Sequence, residues 1–322
     1  MTTTTPEAVR EQVDRREQIR KFSILIILVG LIALLAALSS GRSLQPQNLA
    51  NIIVQVAPIG IIALGMMFAI ITKGIDLSVG SIAGLSAVVA ASFAQVASTR
   101  FPAMPVFVSI LVGLVVGMIT GFINGAIIAR FRIAPFIATL GMMTIARGAA
   151  LIYTDGRPVS NLAPGFNAIG SGVVPIIIFL ISAAIIYIVL GHTRFGRHVY
   201  AIGGNDQAAR VSGINISRVQ IGIYTLIGLL SGLAGIILAA RIGSGNPQLG
   251  NQMELDAITA AVIGGTSFNG GIGTVWGVVV GALIIGIINN GLDLMNVSPF
   301  MQMVVKGVII IVAIILDERK NR

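Results

Sequence analysis

The chain has 322 residues, 55% of them hydrophobic and only 10% charged, with a net charge of +9 and a mean hydropathy of +0.95. A soluble domain averages about 25% charged residues and could not hide this much apolar surface, so an ordinary soluble fold is excluded in favour of a helical protein that crosses a membrane many times. The absence of cysteine excludes disulfides and thiolate sites, and continuous runs such as PIIIFLISAAIIYIVL (175–190) exclude the alternating pattern of a β-barrel.

In chain order, residues 1–21 read as a charged cytoplasmic lead-in, too long and too charged for the start of a cleavable signal. About ten apolar segments follow, near 22–38, 50–72, 77–98, 103–129, 133–153, 174–190, 218–240, 254–267, 274–292 and 298–316. They predict an all-α polytopic transmembrane domain over 22–316, some of its helices short or broken, and a cytoplasmic tail at 317–322. A crossing needs roughly 17–25 residues, so the eighth segment is the shortest, and it is separated from the ninth by a glycine-rich break.

The 21 basic residues set the orientation. With the N-terminus in the cytoplasm, the outer side receives only Arg42, Arg100, Arg157 and Arg241, while Arg147 and Lys306 fall inside segments and the rest lie inside the cell. Cytoplasmic loops carry the Lys/Arg excess, so both termini are predicted to be cytoplasmic. The positive charge is therefore a topology signal and not a sign of nucleic acid.

Between segments two and three lies ITKGIDLSVGSIAGL (71–85). Gly74, Asp76, Ser78 and Gly80 make it a hinge or gate element at the cytoplasmic side. Lys73 and Asp76 are spaced to meet on a helical turn. Residues 69–85 are echoed at 261–278, again an apolar run, a glycine-rich break and a small-residue helix. Internal repeats with matching breaks are a transporter pattern.

Segment four holds Gly113, Gly117, Gly121 and Gly125 on one face, and segment nine repeats the device at Gly273, Gly277 and Gly281. Such stripes serve close helix packing within one subunit or between two. Glu254 and Asp256 lie at the outer edge of segment eight and face apart, a poor acid–base pair. Polar side chains inside segments include Gln55, Asn124, Asn289, Asn290 and Asp293. These are candidates for a translocation pathway, with interhelical hydrogen bonding as the alternative.

No G-x-x-x-x-G-K-S/T loop is present, nor a metal-ligand cluster, so no enzyme chemistry is expected and no cofactor is assigned to this chain. The longest inner loop after the N-terminus is GHTRFGRHVYAIGGNDQAARVSGINISRVQ (191–220). Within it Asn205 reads as an N-cap, 207–212 as a short helix, and Gly213 as a left-handed stop. A helix this short needs something to pack against.

That loop resembles the coupling loop of bacterial ABC importer permeases. The family consensus is E-A-A followed by glycine; here DQAARVSG (206–213) has Asp for Glu, and the alanines are displaced by one. GIDLSVGS, RIAPFIATLGMMTIARG, ELDAITAAVIGGTSFNGGIGT, FGRHVYAIGGN and INNGLDLMNVSPFMQMVVKG together resemble ribose-type sugar permeases, from about residue 45 to the C-terminus. The resemblance implies a multi-pass permease of the bacterial inner membrane, in contact with lipid and paired with a second permease subunit. Two partner subunits would bind and hydrolyse ATP with Mg, and a periplasmic binding protein would deliver a monosaccharide such as a pentose. It also implies that Gly203, Gly204, Asn205, Asp206, Ala209, Arg210 and Gly213, in the loop at about 191–217, form the surface that reads the ATPase. A neutral sugar would suit Asn124 and the Asn289–Asn290 pair. An ion-gradient-driven transporter, motivated by Asp76 and Asp293, and an importer of a polyol or amino acid remain alternative readings.

Overall fold

The computed structural model describes residues 25–96, 101 and 104–320, so the lead-in at 1–21 and Arg100 lie outside the described residues. Each of the ten apolar segments holds a helix. These are α1 (Leu25–Leu38), α2 (Pro46–Ile71), α3 (Val79–Ala94), α4 (Val106–Phe131), α5 (Pro135–Thr154), α7 (Val174–His192), α10 (Ile216–Ile242), α11 (Met253–Ile263), α12 (Val275–Leu294) and α13 (Pro299–Lys320). Short helices α6 (Pro164–Asn167), α8 (Arg194–Gly204) and α9 (Asp206–Val211) lie in the connections. Among the described residues, extended pairing is confined to the isolated bridges Gln95–Leu162 and Val159–Gly245. Among the described residues, six helices, α2, α4, α5, α7, α10 and α12, are long and apolar enough to cross a membrane.

Local chemistry sets the boundaries. Proline occupies the first turn of α2, α5 and α7, where its missing N–H costs no helix hydrogen bond. Left-handed residues stop α4 at Arg132, α5 at Asp155 and α10 at Gly243. Helix α2 is apolar all round and buried from Val56 to Ile71, which makes it the centre of the bundle.

The glycine stripes pack within the chain. A Cβ on Gly117 would overlap the Gly228 carbonyl, and one on Gly228 would overlap the Gly117 carbonyl, so α4 and α10 touch backbone to backbone. Gly277 and Gly281 of α12 likewise meet Ala260 of α11 and its capping residue Gly264.

Helices α3 and α11, about 24 Å and 16 Å long, are partial spans, half-helices that begin inside the protein. Residues 72–78 rise from the end of α2, and Ser78 meets Asn124, about 10 Å inside the end of α4. Residues 243–252 descend from the opposite end along α3: Gly245 packs on Ala87, Val88 and Ala91, the Leu249 and Pro247 carbonyls face Gly84, and Gly250 crosses Gly80. From Ala91 to Gly80 is about 16 Å of helix. The two short helices thus begin in mid-protein, their N-termini against each other, with Glu254 beside Gly80.

Two expectations change. Glu254 and Asp256 are not at an outer edge, because the descending segment uses up half the thickness before α11 starts. Lys73 and Asp76 do not share a helical turn either. Lys73 takes a left-handed conformation (φ 62°) and lies exposed over Gly270, while Asp76 turns inward and is fully buried.

Candidate functional site

The ends of α2, α4 and α8, with the break between α11 and α12, meet at one end of the bundle. That end carries Lys73, Arg130, Arg132, Arg194, Arg197, Arg210 and Arg218. Here α8 starts on a Thr193 cap, whose Oγ1 accepts from the Gly196 N–H (3.2 Å). Helix α9 follows at once: Asn205 Oδ1 accepts from the Ala208 N–H (3.0 Å), and Gly213, at φ 82°, closes the turn as the Ile214 N–H donates to the Ala209 carbonyl (3.1 Å). The cap and stop read from the sequence are both present, with the helix running from Asp206 to Val211.

The seven residues of this loop divide by direction. Gly203 and Ala209 are buried; Gly204, Asn205, Asp206, Arg210 and Gly213 are exposed. A Cβ on Gly203 would overlap both the Ile71 carbonyl and the Gly271 nitrogen. The Gly271 N–H itself donates to the Ile71 carbonyl (2.9 Å), and the Tyr200 hydroxyl donates to the Gly273 carbonyl (2.7 Å). The two echoed breaks therefore touch each other, and α8 is seated on both. Sequence reading missed Val211, which is 90% exposed at the tip of α9, an apolar knob beside charged neighbours.

The rise at 72–78 is held by buried polar contacts. Asp76 accepts from the Ser78 N–H (2.8 Å) and hydroxyl (2.5 Å), and the Ser78 Oγ accepts from Asn124 Nδ2 (2.8 Å). The Leu77 N–H donates to Thr139 Oγ1 (3.2 Å), which in turn donates to the Ile75 carbonyl (3.3 Å). Gly74 leaves room for the Tyr224 hydroxyl, which a Cβ would meet at 2.7 Å. Gly80 leaves room for the Gly250 backbone. All four residues of the motif thus have work at one place, joining α3 to α4, α5, α10 and the descending segment.

The polar candidates inside segments do not converge. Asn124 serves Ser78. Asn290 exchanges two 2.9 Å amide hydrogen bonds with Asn48. Asn289, adjacent in sequence but turned about 100° around α12, lies against Asp256 and Lys306, which form an ion pair at 2.9 Å. Asp293 is exposed and accepts from Gln302 Nε2 (2.9 Å), while Gln55 is half-buried on α2. Arg147 on α5 donates to the Pro247 carbonyl and to the Leu249 carbonyl (3.0 Å), clamping the descending segment.

The family described as branched-chain amino acid transport system / permease component matches residues 48–314. That span takes in both breaks, both half-helices and the α8–α9 loop. The chain belongs to this permease family. The permease is 46% identical over 312 residues to the ribose import permease protein RbsC of Bacillus subtilis, covering 95% of this chain and 94% of that one. It is 43% identical over 306 residues to the RbsC of Escherichia coli K12 (92% and 93% covered). To the galactose/methyl galactoside import permease protein MglC of Salmonella typhimurium it is 40% identical over 320 residues (94% and 95%). No solved structure matches the permease.

Proposed function

We propose that this permease is the membrane subunit of an ABC importer for a monosaccharide, a ribose-like pentose or a related hexose. The observation that carries the reading is the seating of α8 on both breaks, with α9 presented outward on the same basic end. A short helix exposed at Asp206, Arg210 and Val211, yet anchored through Gly203 and Ala209, is suited to receive a partner and pass its movement inward. The partners would be two ATP-binding subunits docked on 191–217 of each of two permease copies, with ATP and Mg held by those subunits. A periplasmic binding protein would supply the sugar, in keeping with the ribose and galactose import permeases to which the chain is similar over nearly its whole length.

By the positive-inside rule, the basic end would face the cytoplasm of a bacterial cell, with the protein in its inner membrane. In this reading the end of α13 lies on that same side, since Ser267 and Phe268 both donate to Asp317 at 3.1 Å. All ten helices, the two partial spans included, then contribute to crossing the bilayer.

The test is co-purification of the ATPase encoded with this chain. Asp206→Lys and Gly213→Val are expected to reduce its recovery by about tenfold while the permease stays in the membrane; full recovery in both would sink the assignment. ATP-driven uptake in proteoliposomes without an ion gradient separates this reading from a gradient-driven transporter.

A further inference from the structure

The descending segment has a property that the rise at 72–78 lacks. Its side chains Gln248 and Asn251 are exposed, and Gln252 and Glu254, with Arg147 beside them, are half-exposed. Yet Gly250, between the two exposed amides, crosses Gly80 about 16 Å below the end at which the segment starts. In a hydrocarbon core about 30 Å thick that is near the middle. Irregular backbone with polar side chains does not face lipid at such depth, because unsatisfied N–H and C=O groups there cost several kcal/mol each. It is found where it is covered by protein or lines a water-filled passage.

The groups present distinguish the passage as the better fit. Glu254 offers acceptors, Arg147 donors, and the three amides both. Among the described residues, the side-chain amides of Gln248, Asn251 and Gln252 take no hydrogen bond within the chain, so they are free for an outside partner. Two helix N-termini meet beneath them, as at the midplane sites of transporters with broken helices. A neutral solute bearing several hydroxyls, each both donor and acceptor, matches such a mixed set better than an ion does.

We propose that Arg147, Gln248, Asn251, Gln252 and Glu254 form the mid-depth contact surface for a polyhydroxylated solute on its way through the permease. The assignment rests on the reading of this chain as a sugar importer and names where that sugar touches it. It moves the contact away from Asn124, Asn289 and Asn290, whose side chains already serve Ser78, Asp256 and Asn48.

The chain has no cysteine, so single thiols report without background. In the complete importer in proteoliposomes, Gln248→Cys and Asn251→Cys are expected to react with a membrane-impermeant methanethiosulfonate at least about tenfold faster than Ile181→Cys, on the exposed apolar face of α7. Glu254→Gln and Asn251→Ala should lower uptake of D-ribose or D-galactose by about tenfold, with the ATPase subunits still co-purifying. Thiols that do not react, or that link two copies by a disulfide instead, would overturn the proposal in favour of a subunit contact. Fast labelling with undiminished uptake would also overturn it. If the unmodified importer takes up neither sugar, the monosaccharide reading fails, and the labelling still reports separately whether the face is wet.

Discussion

The two irregular connections that lead into the half-helices are opposite in character. The rise at 72–78 turns its polar groups inward: Asp76 and Ser78 are fully buried, bonded to each other and to Asn124. The descent at 243–252 turns its amides outward and is held by the Arg147 guanidinium and by the backbone bridge between Gly245 and Val159. Both solve the same problem, starting a helix in mid-membrane, but the first buries its polar groups against the protein, with Asp76 Oδ2 and Asn124 Oδ1 left without a partner among the described residues, and the second leaves its amides at the surface. The difference suggests a fixed element facing an adaptable one across the Gly80–Gly250 crossing.

The harshest way to break this arrangement is to separate the two at their crossing. Gly80→Val or Gly250→Val should abolish folded protein, lowering the monodisperse fraction of a fluorescent fusion on size exclusion by more than about tenfold, since backbone sits where the side chain would go. Gly148→Ala, on α5 with open space around it, should leave that fraction unchanged. Next in size, Asp76→Asn keeps an acceptor for Ser78 but removes the charge; ATP-driven uptake should fall by about tenfold at unchanged membrane abundance. Wild-type uptake would reduce the rise to a structural loop. Arg147→Met acts on the descent alone. Hydrogen exchange at 244–252 should speed up by about tenfold, as expected for about 1–3 kcal/mol of lost hydrogen bonding, while exchange at 72–78 holds. The mildest, Thr139→Val, loosens only the rise by removing a hydroxyl that bonds Leu77 and Ile75, and should lower the melting temperature by a few degrees, for about 1–2 kcal/mol.

What the sequence revealed follows the range over which each signal acts. Asn205 and Gly213 were readable because a cap and a left-handed stop are decided within a few residues. The breaks near 73–80 and 265–274 were readable because glycines, joined in the first by Lys73 and Asp76, interrupt long apolar runs. The descent was not, because GSGNPQLGNQ has the composition of a surface loop, and nothing local says how deep a loop runs. The available sign was arithmetic: an eighth segment too short to cross, needing extra length from its neighbour. Depth, and with it the position of Glu254, depends on which helix the loop lies against, here α3 through Gly84 and Gly80. Asn289 and Asn290 show the complementary error, since neighbours in sequence are a third of a turn apart on a helix and belong to different contacts.

At Gly203 itself, α8 meets the end of α2 and the 264–274 break backbone to backbone, with no side chain between. Ordinary interfaces have slack, because a displaced helix can be accommodated by rotamers swinging aside. A joint made of peptide planes has almost none. A shift of α8 by even a fraction of an ångström must be followed by Ile71 and Gly271 together or open a gap, so the joint behaves as a gear without backlash, moving both connections in step.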